Sequence, residues 1–208
     1  MPVMCMTMIA SINIFNIIAP VYGLFYKHQK TMFHEFLDRV EPALNLSEYS
    51  TAVDIGCGTG ALCAVLHERG FDVTGVDPAE KMLNIARKRN KDGKIRFVQA
   101  SGLERLPFED KSFDFSLASY VGHGLKEHER QLLYSEMSRI SRHLVIIGDY
   151  NQKRSLSVDI AEWFEGGDYF NFIKTAEHEM RSSFREVIVF DAGPRTALYI
   201  CTPFKTPV

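Results

Sequence analysis

The stretch Thr51-Ala52-Val53-Asp54-Ile55 runs straight into Gly56-Cys57-Gly58-Thr59-Gly60 and then into a helical pattern from Ala61 to Arg69. A buried strand that ends in a glycine-rich turn and continues as a helix is the opening half of a βαβ unit. No other feature restricts the fold as much, and the pattern repeats. Gly70 stops the first helix, as a glycine just past a helix end does, and Phe71 to Val76 reads as a second strand. Pro78 is expected to open the next helix, at a position where its missing N–H costs nothing. Ala79, Met82, Leu83 and Ala86 form that helix's apolar stripe. Lys94–Gln99, Phe113–Ser119 and His143–Gly148 supply three further strands, with a long helical pattern over Lys126–Arg142 before the last of them.

Five strands alternating with helices predict a parallel sheet covered on both faces. The tail differs. Helical patterns over Leu156–Phe164 and Tyr169–Ser182 precede two strand-like runs, Arg185–Phe190 and Arg195–Cys201, separated by the turn Asp191-Ala192-Gly193-Pro194. Strands joined by so short a turn pair antiparallel. The expectation is an α/β chain whose seven-stranded, mostly parallel sheet carries an antiparallel C-terminal hairpin.

The glycine turn points to a ligand that approaches the backbone, because glycines leave no Cβ in the way. Asp77, at the end of the second strand, is placed to take both hydroxyls of a ribose, and equally to cap the helix that follows. A dinucleotide site normally shows Gly-x-Gly-x-x-Gly. Here the turn is Gly56-x-Gly58-x-Gly60, one residue shorter, and no Lys-Ser/Thr of a phosphate loop follows it. A nucleoside ligand without phosphate fits better.

Val53-Asp54-Ile55-Gly56-Cys57-Gly58-Thr59-Gly60 and then Gly75-Val76-Asp77-Pro78-Ala79-Glu80-Lys81-Met82-Leu83 closely resemble the first two signature motifs of class I S-adenosylmethionine-dependent methyltransferases. Leu106-Pro107-Phe108-Glu109-Asp110-Lys111-Ser112-Phe113-Asp114 resembles the link into the fourth strand of the methyltransferase type 11 group. The amino-terminal Phe15-Asn16-Ile17-Ile18-Ala19-Pro20-Val21-Tyr22 is similar to the segment that closes over the cofactor in ubiquinone/menaquinone-biosynthesis methyltransferases, with Gly23 where that pattern has Asp.

The resemblance implies a Rossmann-like three-layer αβα sandwich and S-adenosyl-L-methionine as cofactor, with S-adenosyl-L-homocysteine as product. It implies that Gly56, Cys57, Gly58 and Gly60 lie along the methionine part, that Asp54 orients its amino group, and that Asp77 holds the ribose. Pro78 and Met82 would flank the adenine. The family often has an Asp after the third strand to meet the adenine N6; here the stretch is Gln99-Ala100-Ser101-Gly102-Leu103, so Ser101, with Gly102 and Leu103, takes that place. Ser119 and Tyr120 match positions near the methyl donor. Tyr22 would lie near the methionine carboxylate, or else belongs to an aromatic packing stripe with Phe15, Phe25 and Tyr26. One domain is expected over 1–208, with 1–48 a helical cap or lid, 49–150 the cofactor-binding core, and 151–208 the substrate-side helices and hairpin.

Methyl transfer needs position and dryness from the protein, and a base only where the acceptor carries a proton. His123, after the fourth strand, is the candidate base, since histidine's ordinary pKa lies nearest neutrality; the alternative is a histidine that only lines the pocket. Asp149 and Tyr150 end the fifth strand and are expected to face the acceptor. Trp163, Phe164, Tyr169, Phe170 and Phe172 form either a lid suited to an apolar or aromatic small molecule, or core. His123, Glu127 and His128 do not have the spacing of a metal helix, and no metal is expected. His178, between Glu177 and Glu179, reads as a solvated helix face.

Lys and Arg number 24 against 26 Asp and Glu, a formal charge of −2. That balance gives no footprint for nucleic acid, and the Asn/Asp-Pro-Pro-Tyr/Phe signature of base methylation is absent after the fourth strand. Cys5, Cys57, Cys63 and Cys201 are too scattered for a disulfide framework or a zinc site, which suits a reducing cytoplasm. The apolar first 26 residues lack a basic n-region and a cleavage pattern, and Ser11, Asn13, Asn16 and Pro20 interrupt them, so no integral membrane segment is expected. A monomer or homodimer acting on a small molecule is the leading expectation. A non-catalytic fold relative that binds the cofactor, or a protein or nucleic-acid methyltransferase, are the alternatives.

Overall fold

The computed structural model describes residues 3–153 and 168–204. A long helix α1 (Val3–Leu44) leads into β1 (Thr51–Ile55), α2 (Ala61–Glu68), β2 (Asp72–Asp77), α3 (Glu80–Arg89) and β3 (Arg96–Gln99). Then come β4 (Phe113–Ser119), α4 (Glu127–Ile140), β5 (Ser141–Tyr150), α5 (Tyr169–Ser183), β6 (Glu186–Gly193) and β7 (Thr196–Thr202). The helical pattern at Leu156–Phe164, with Trp163, lies outside the described residues.

The strands form one sheet in the order β3-β2-β1-β4-β5-β7-β6. β1 to β5 run parallel, and β7 enters antiparallel between β5 and β6. The seven-stranded, mostly parallel sheet with its antiparallel hairpin is therefore as the alternation of elements demanded, in a three-layer αβα sandwich. Against one face pack Leu37 of α1, Leu62 and Leu66 of α2 and Leu83 of α3, with Ala52, Val73, Phe115 and Ile146 of the strands beneath them. The other face buries Val53, Ile55, Val76 and Ile147 under Leu133 and Met137 of α4 and Phe172 and Met180 of α5. Alternate strand residues thus feed two separate cores. Among the described residues no helix is long and apolar enough to cross a membrane.

Three local expectations need correction. Pro78 does not open α3: the helix begins at Glu80, with Ala79 extended before it. The Asp77 carboxylate accepts the Ala79 N–H at 2.8 Å and holds that dipeptide in a turn. The first turn of α3 is instead served from outside, where Lys81 N–H donates to Asn16 Oδ1 of α1 at 3.0 Å. Glu179 is not on a solvated face, although Glu177 and His178 are exposed. Its side chain is buried against Arg130, which is only 1% exposed, with Nε–Oε2 at 2.7 Å, tying α5 to α4. Finally, β5 runs from Ser141 to Tyr150, beyond the His143–Gly148 of its apolar pattern, because β7 pairs with it as far as Tyr150↔Thr196.

Candidate active site

The sheet order reverses between β1 and β4, and open α/β sheets bind ligands outside the carboxyl ends of strands at such a point. At the end of β1, Gly56 N–H and Cys57 N–H both donate to Val76 O, at 2.8 and 3.0 Å, which folds the glycine turn over the end of β2. Gly56, Gly58 and Gly60 all have left-handed φ of +76, +52 and +77°, a region that side chains with a Cβ rarely adopt. A Cβ on Gly58 would meet nothing within 4 Å, so the apex of the turn is open. A Cβ on Gly56 would sit 2.6 Å from Val121 Cγ2. That contact brings the loop after β4 against the glycine turn.

Asp77 closes the turn from β2. Its two oxygens accept Gly58 N–H and Ala79 N–H, each at 2.8 Å. Asp54 lies in the middle of the sheet, paired in register with Gly75 and Leu117, and is 2% exposed. Among the described residues its Oδ2 takes only the Cys63 thiol, at 3.3 Å. Met82 is buried with Ala79 against Ala19 of α1, and Ile18 and Tyr22 pack on the same cluster. The Tyr22 ring also stands edge-on to Phe15, 6.4 Å between centroids. Pro78 is half-buried, its carbonyl accepting Gln99 Nε2 at 3.2 Å. Beyond β3, Ser101 is buried and its hydroxyl accepts the Leu103 N–H at 3.2 Å, while a Cβ on Gly102 would fall 2.6 Å from Ile55 Cγ2 and 2.9 Å from Leu133 Cδ1.

The ends of β4 and β5 form the opposite wall. Ser119 pairs with Gly148, and Tyr120 leaves the strand with a left-handed φ of +55°, its hydroxyl 2.8 Å from Thr196 Oγ1. A short turn, Gly122–Gly124, follows and carries His123. His123 Nδ1 lies 2.8 Å from Asp149 Oδ1, and its backbone N–H donates to Oδ2 at 3.2 Å. Tyr150 N–H donates to Oδ1 at 2.8 Å. Asp149, expected to face the acceptor, is fully buried behind His123. Tyr150 stands edge-on to both His123 and Tyr120, at 4.9 and 5.3 Å, and to Tyr169 at 5.2 Å. Phe172 is core. Glu127 and His128 are exposed on α4 and do not join His123.

Residues 52–143 match the family model described as a methyltransferase domain. A ubiquinone/menaquinone biosynthesis C-methyltransferase of Campylobacter jejuni is 31% identical over 142 residues. A Saccharomyces cerevisiae protein named as a probable S-adenosylmethionine-dependent methyltransferase is 30% identical over 132 residues. Both matches cover 62% of this chain, but 57% and 40% of those proteins respectively, so the chain spans about half the length of the curated relatives it matches. A solved S-adenosylmethionine-dependent methyltransferase of Thermotoga maritima shares the fold, with a TM-score of 0.68 at 22% identity over 92% of this chain and 99% of that one. Residues 52–143 are thus similar to a methyltransferase domain, and the fold is that of the solved S-adenosylmethionine-dependent methyltransferase.

The site fits S-adenosylmethionine, the cofactor named for those relatives, on its own chemistry. The cofactor carries a sulfonium and an ammonium group, and the turn is flanked by two desolvated carboxylates. Burial pushes Asp54 up to about 7, with the Asp77 charge adding to the rise and the Cys63 hydrogen bond opposing it. Burial raises Asp77 too, against the pull of the Ala79 and Gly58 N–H groups. Neither oxygen pair meets a cationic side chain among the described residues, so a cationic ligand would supply the charge that both lack. Burial also raises the Cys57 thiol, to about 11, which leaves it an inert part of the turn. Sequence reasoning missed Val121 against Gly56, Asn16 on α3 and the Asp149–His123 contact. The first two left no pattern in the chain, and the third follows only once β4 and β5 lie side by side.

Proposed function

We propose that this chain moves a methyl group from S-adenosylmethionine to a small-molecule acceptor. The observation that carries the reading is the pair of desolvated, cation-less carboxylates, Asp54 and Asp77, on either side of an open glycine turn at the switch point of the sheet. The bound cofactor supplies an electrophilic methyl on a sulfonium. The chain's own residues bind and orient it: Asp77 takes the ribose hydroxyls, Asp54 the amino group, and Gly56, Cys57, Gly58 and Gly60 admit the methionine part. Pro78, Met82, Ser101, Gly102 and Leu103 line the adenine side, and Tyr22 covers the cofactor from α1. Ser119 and Tyr120 border the methyl, with Tyr150 on the acceptor side and His123 as base.

The near-balanced charge supports a small acceptor over nucleic acid. Calorimetry of the purified chain with S-adenosylmethionine, S-adenosylhomocysteine and NAD tests the reading, followed by transfer of labelled methyl into the small-molecule fraction of a cell extract. The first two ligands bind and NAD does not; tight NAD binding, or label only in protein or nucleic acid, refutes it.

A further inference from the structure

From Ile12 to Tyr26, α1 carries no charged side chain and is apolar on both sides. The inner side is used. Asn16 Oδ1 accepts the Lys81 N–H at 3.0 Å, and Ala19 is buried with Ala79 and Met82. A Cβ on Gly23 would lie 3.5 Å from Ile85 Cδ1. Arg89 donates to Gly23 O at 2.7 Å, with its guanidinium 4.2 Å over the Tyr26 ring. Asn16, Ala19, Gly23 and Tyr26 thus form one stripe against α3. Ile14, Ile17, Val21 and Leu24 repeat its spacing two residues earlier, and at about 100° per residue that turns them to the opposite side of the helix. There they are exposed, Ile17 at 72% and Leu24 at 82%, with Phe25 exposed beside them. Single exposed apolar residues need no explanation, but a continuous stripe marks a surface that something covers.

The charge beside the stripe says what covers it. From Glu80 to Lys94, α3 and the turn after it carry Lys81, Arg87, Lys88, Arg89, Lys91 and Lys94, all exposed. The acids in that segment are Glu80 and Asp92, each already facing a base: Glu80 faces Arg87 at 2.8 Å, and Asp92 faces Lys94 and His67, both at 3.7 Å. Six bases against two acids leave the segment at +4 in a chain whose total is −2. The Lys81 and Arg89 contacts hold this basic flank along the same stretch of α1 that bears the stripe. The exposed Lys27 follows the stripe directly, and the acids of α1, Glu35, Asp38 and Glu41, come after it.

We propose that the outer stripe of α1 and the basic flank of α3 together dock this protein on an anionic lipid surface. Ile17, Val21 and Leu24 enter the boundary between headgroups and acyl chains, and Lys88 and Lys91 meet the lipid phosphates. The helix lies in the plane of the surface, because its free stripe runs along its side and no helix among the described residues is long and apolar enough to cross a membrane. A second copy of the chain would cover the stripe but leave the cations unanswered. Nucleic acid would answer the cations but leave Ile17 and Leu24 in water. The proposal does not depend on the methyl-transfer reading.

Flotation of the full chain with vesicles of phosphatidylcholine, alone or mixed with phosphatidylglycerol, tests it without any variant. The chain rises with the mixed vesicles and binds those of phosphatidylcholine alone about tenfold or more weakly. Raising salt from about 0.1 M to about 1 M shortens the Debye length from about 10 Å to about 3 Å and releases much of the bound protein. Ile17→Gln with Leu24→Gln weakens binding to the mixed vesicles by about tenfold or more, and thermal unfolding is unchanged because both side chains lie in water. Lys88→Glu with Lys91→Glu weakens it by a similar factor at low salt and by less at high salt. Absence from the mixed vesicles, or equal binding to both kinds, would overturn the proposal. So would a dimer in solution that the Ile17→Gln, Leu24→Gln pair dissociates, which would make the stripe a contact between copies. Single-stranded RNA that strips the chain from vesicles, and binds the Ile17→Gln, Leu24→Gln pair as tightly as the unaltered chain, would overturn it as well.

Discussion

Replacing Asp54 by Asn should change how the cofactor-free chain responds to pH. Burial raises the Asp54 carboxyl from 3.8 to about 7 in the folded chain. That is roughly a thousandfold change in proton affinity, or about 4 kcal/mol at about 1.4 kcal/mol per factor of ten. The sign follows from proton counts. Between the two values the folded chain holds a proton that the unfolded chain has lost, so the stabilisation is complete in acid, falls as pH rises, and is gone above about 7. From about pH 5 to about pH 7.5 the single site should remove about 2–3 kcal/mol of folding stability. Urea unfolding of both proteins at matched pH measures it: other titrating groups contribute equally to each, and the slope difference isolates Asp54. The Asn amide oxygen can still accept the Cys63 thiol, now at 3.3 Å, and any change in that contact does not vary with pH over this range. Parallel slopes for the two proteins would refute the claim that Asp54 is a desolvated, cation-less carboxylate.

Asp77→Ala should weaken S-adenosylmethionine binding by roughly 1.5–3 kcal/mol, the range for hydrogen bonds to charged groups. It should also lower cofactor-free stability by about 1–2 kcal/mol, because its oxygens hold Gly58 and Ala79; calorimetry and urea unfolding separate the two losses. Gly102→Ala places a methyl 2.6 Å from Ile55 Cγ2, and thermal unfolding should report about 1–3 kcal/mol of overpacking. Glu179→Ala leaves the buried Arg130 guanidinium with Asp168 as its counter-charge among the described residues and should cost about 3–5 kcal/mol by urea unfolding.

β1 and β4 were legible to the residue, because each is an apolar run closed by glycine, serine or charge. The hairpin was legible as two strands, but the turn was not at Asp191–Pro194: β6 continues to Gly193, paired with Thr196, which leaves Pro194 and Arg195 between the strands, and the insertion of β7 between β5 and β6 was not legible either. Both are unbroken apolar runs, Val187–Phe190 and Ala197–Cys201, so the pattern does not say which strand docks, although β7 is buried along its length and β6 is mostly not. Pro78 was misplaced because a local rule about helix starts competes with the Asp77 side chain, which captures the Ala79 N–H first. The glycine turn and Asp77 were readable as motifs, since each needs one residue type at one position. The partners of His123 were not, because the contact to Asp149 spans 26 residues and depends on parallel pairing of β4 with β5.

The three carboxylates around the pocket differ in how many donors they receive, and this divides their roles. Asp149 has three donors from two residues and no need of a ligand. Asp77 has two backbone donors, which leaves lone pairs for a ribose. Asp54 has one thiol, a weak donor. A buried carboxylate without adequate donors either keeps its proton or waits for a cation. Asp54 and Asp77 therefore make the turn after β1 a place where positive charge is stabilised on binding. Asp149, already satisfied, holds the turn that carries His123. Val121, seated on Gly56, sets the turn that Asp149 holds beside the glycine turn that Asp77 closes.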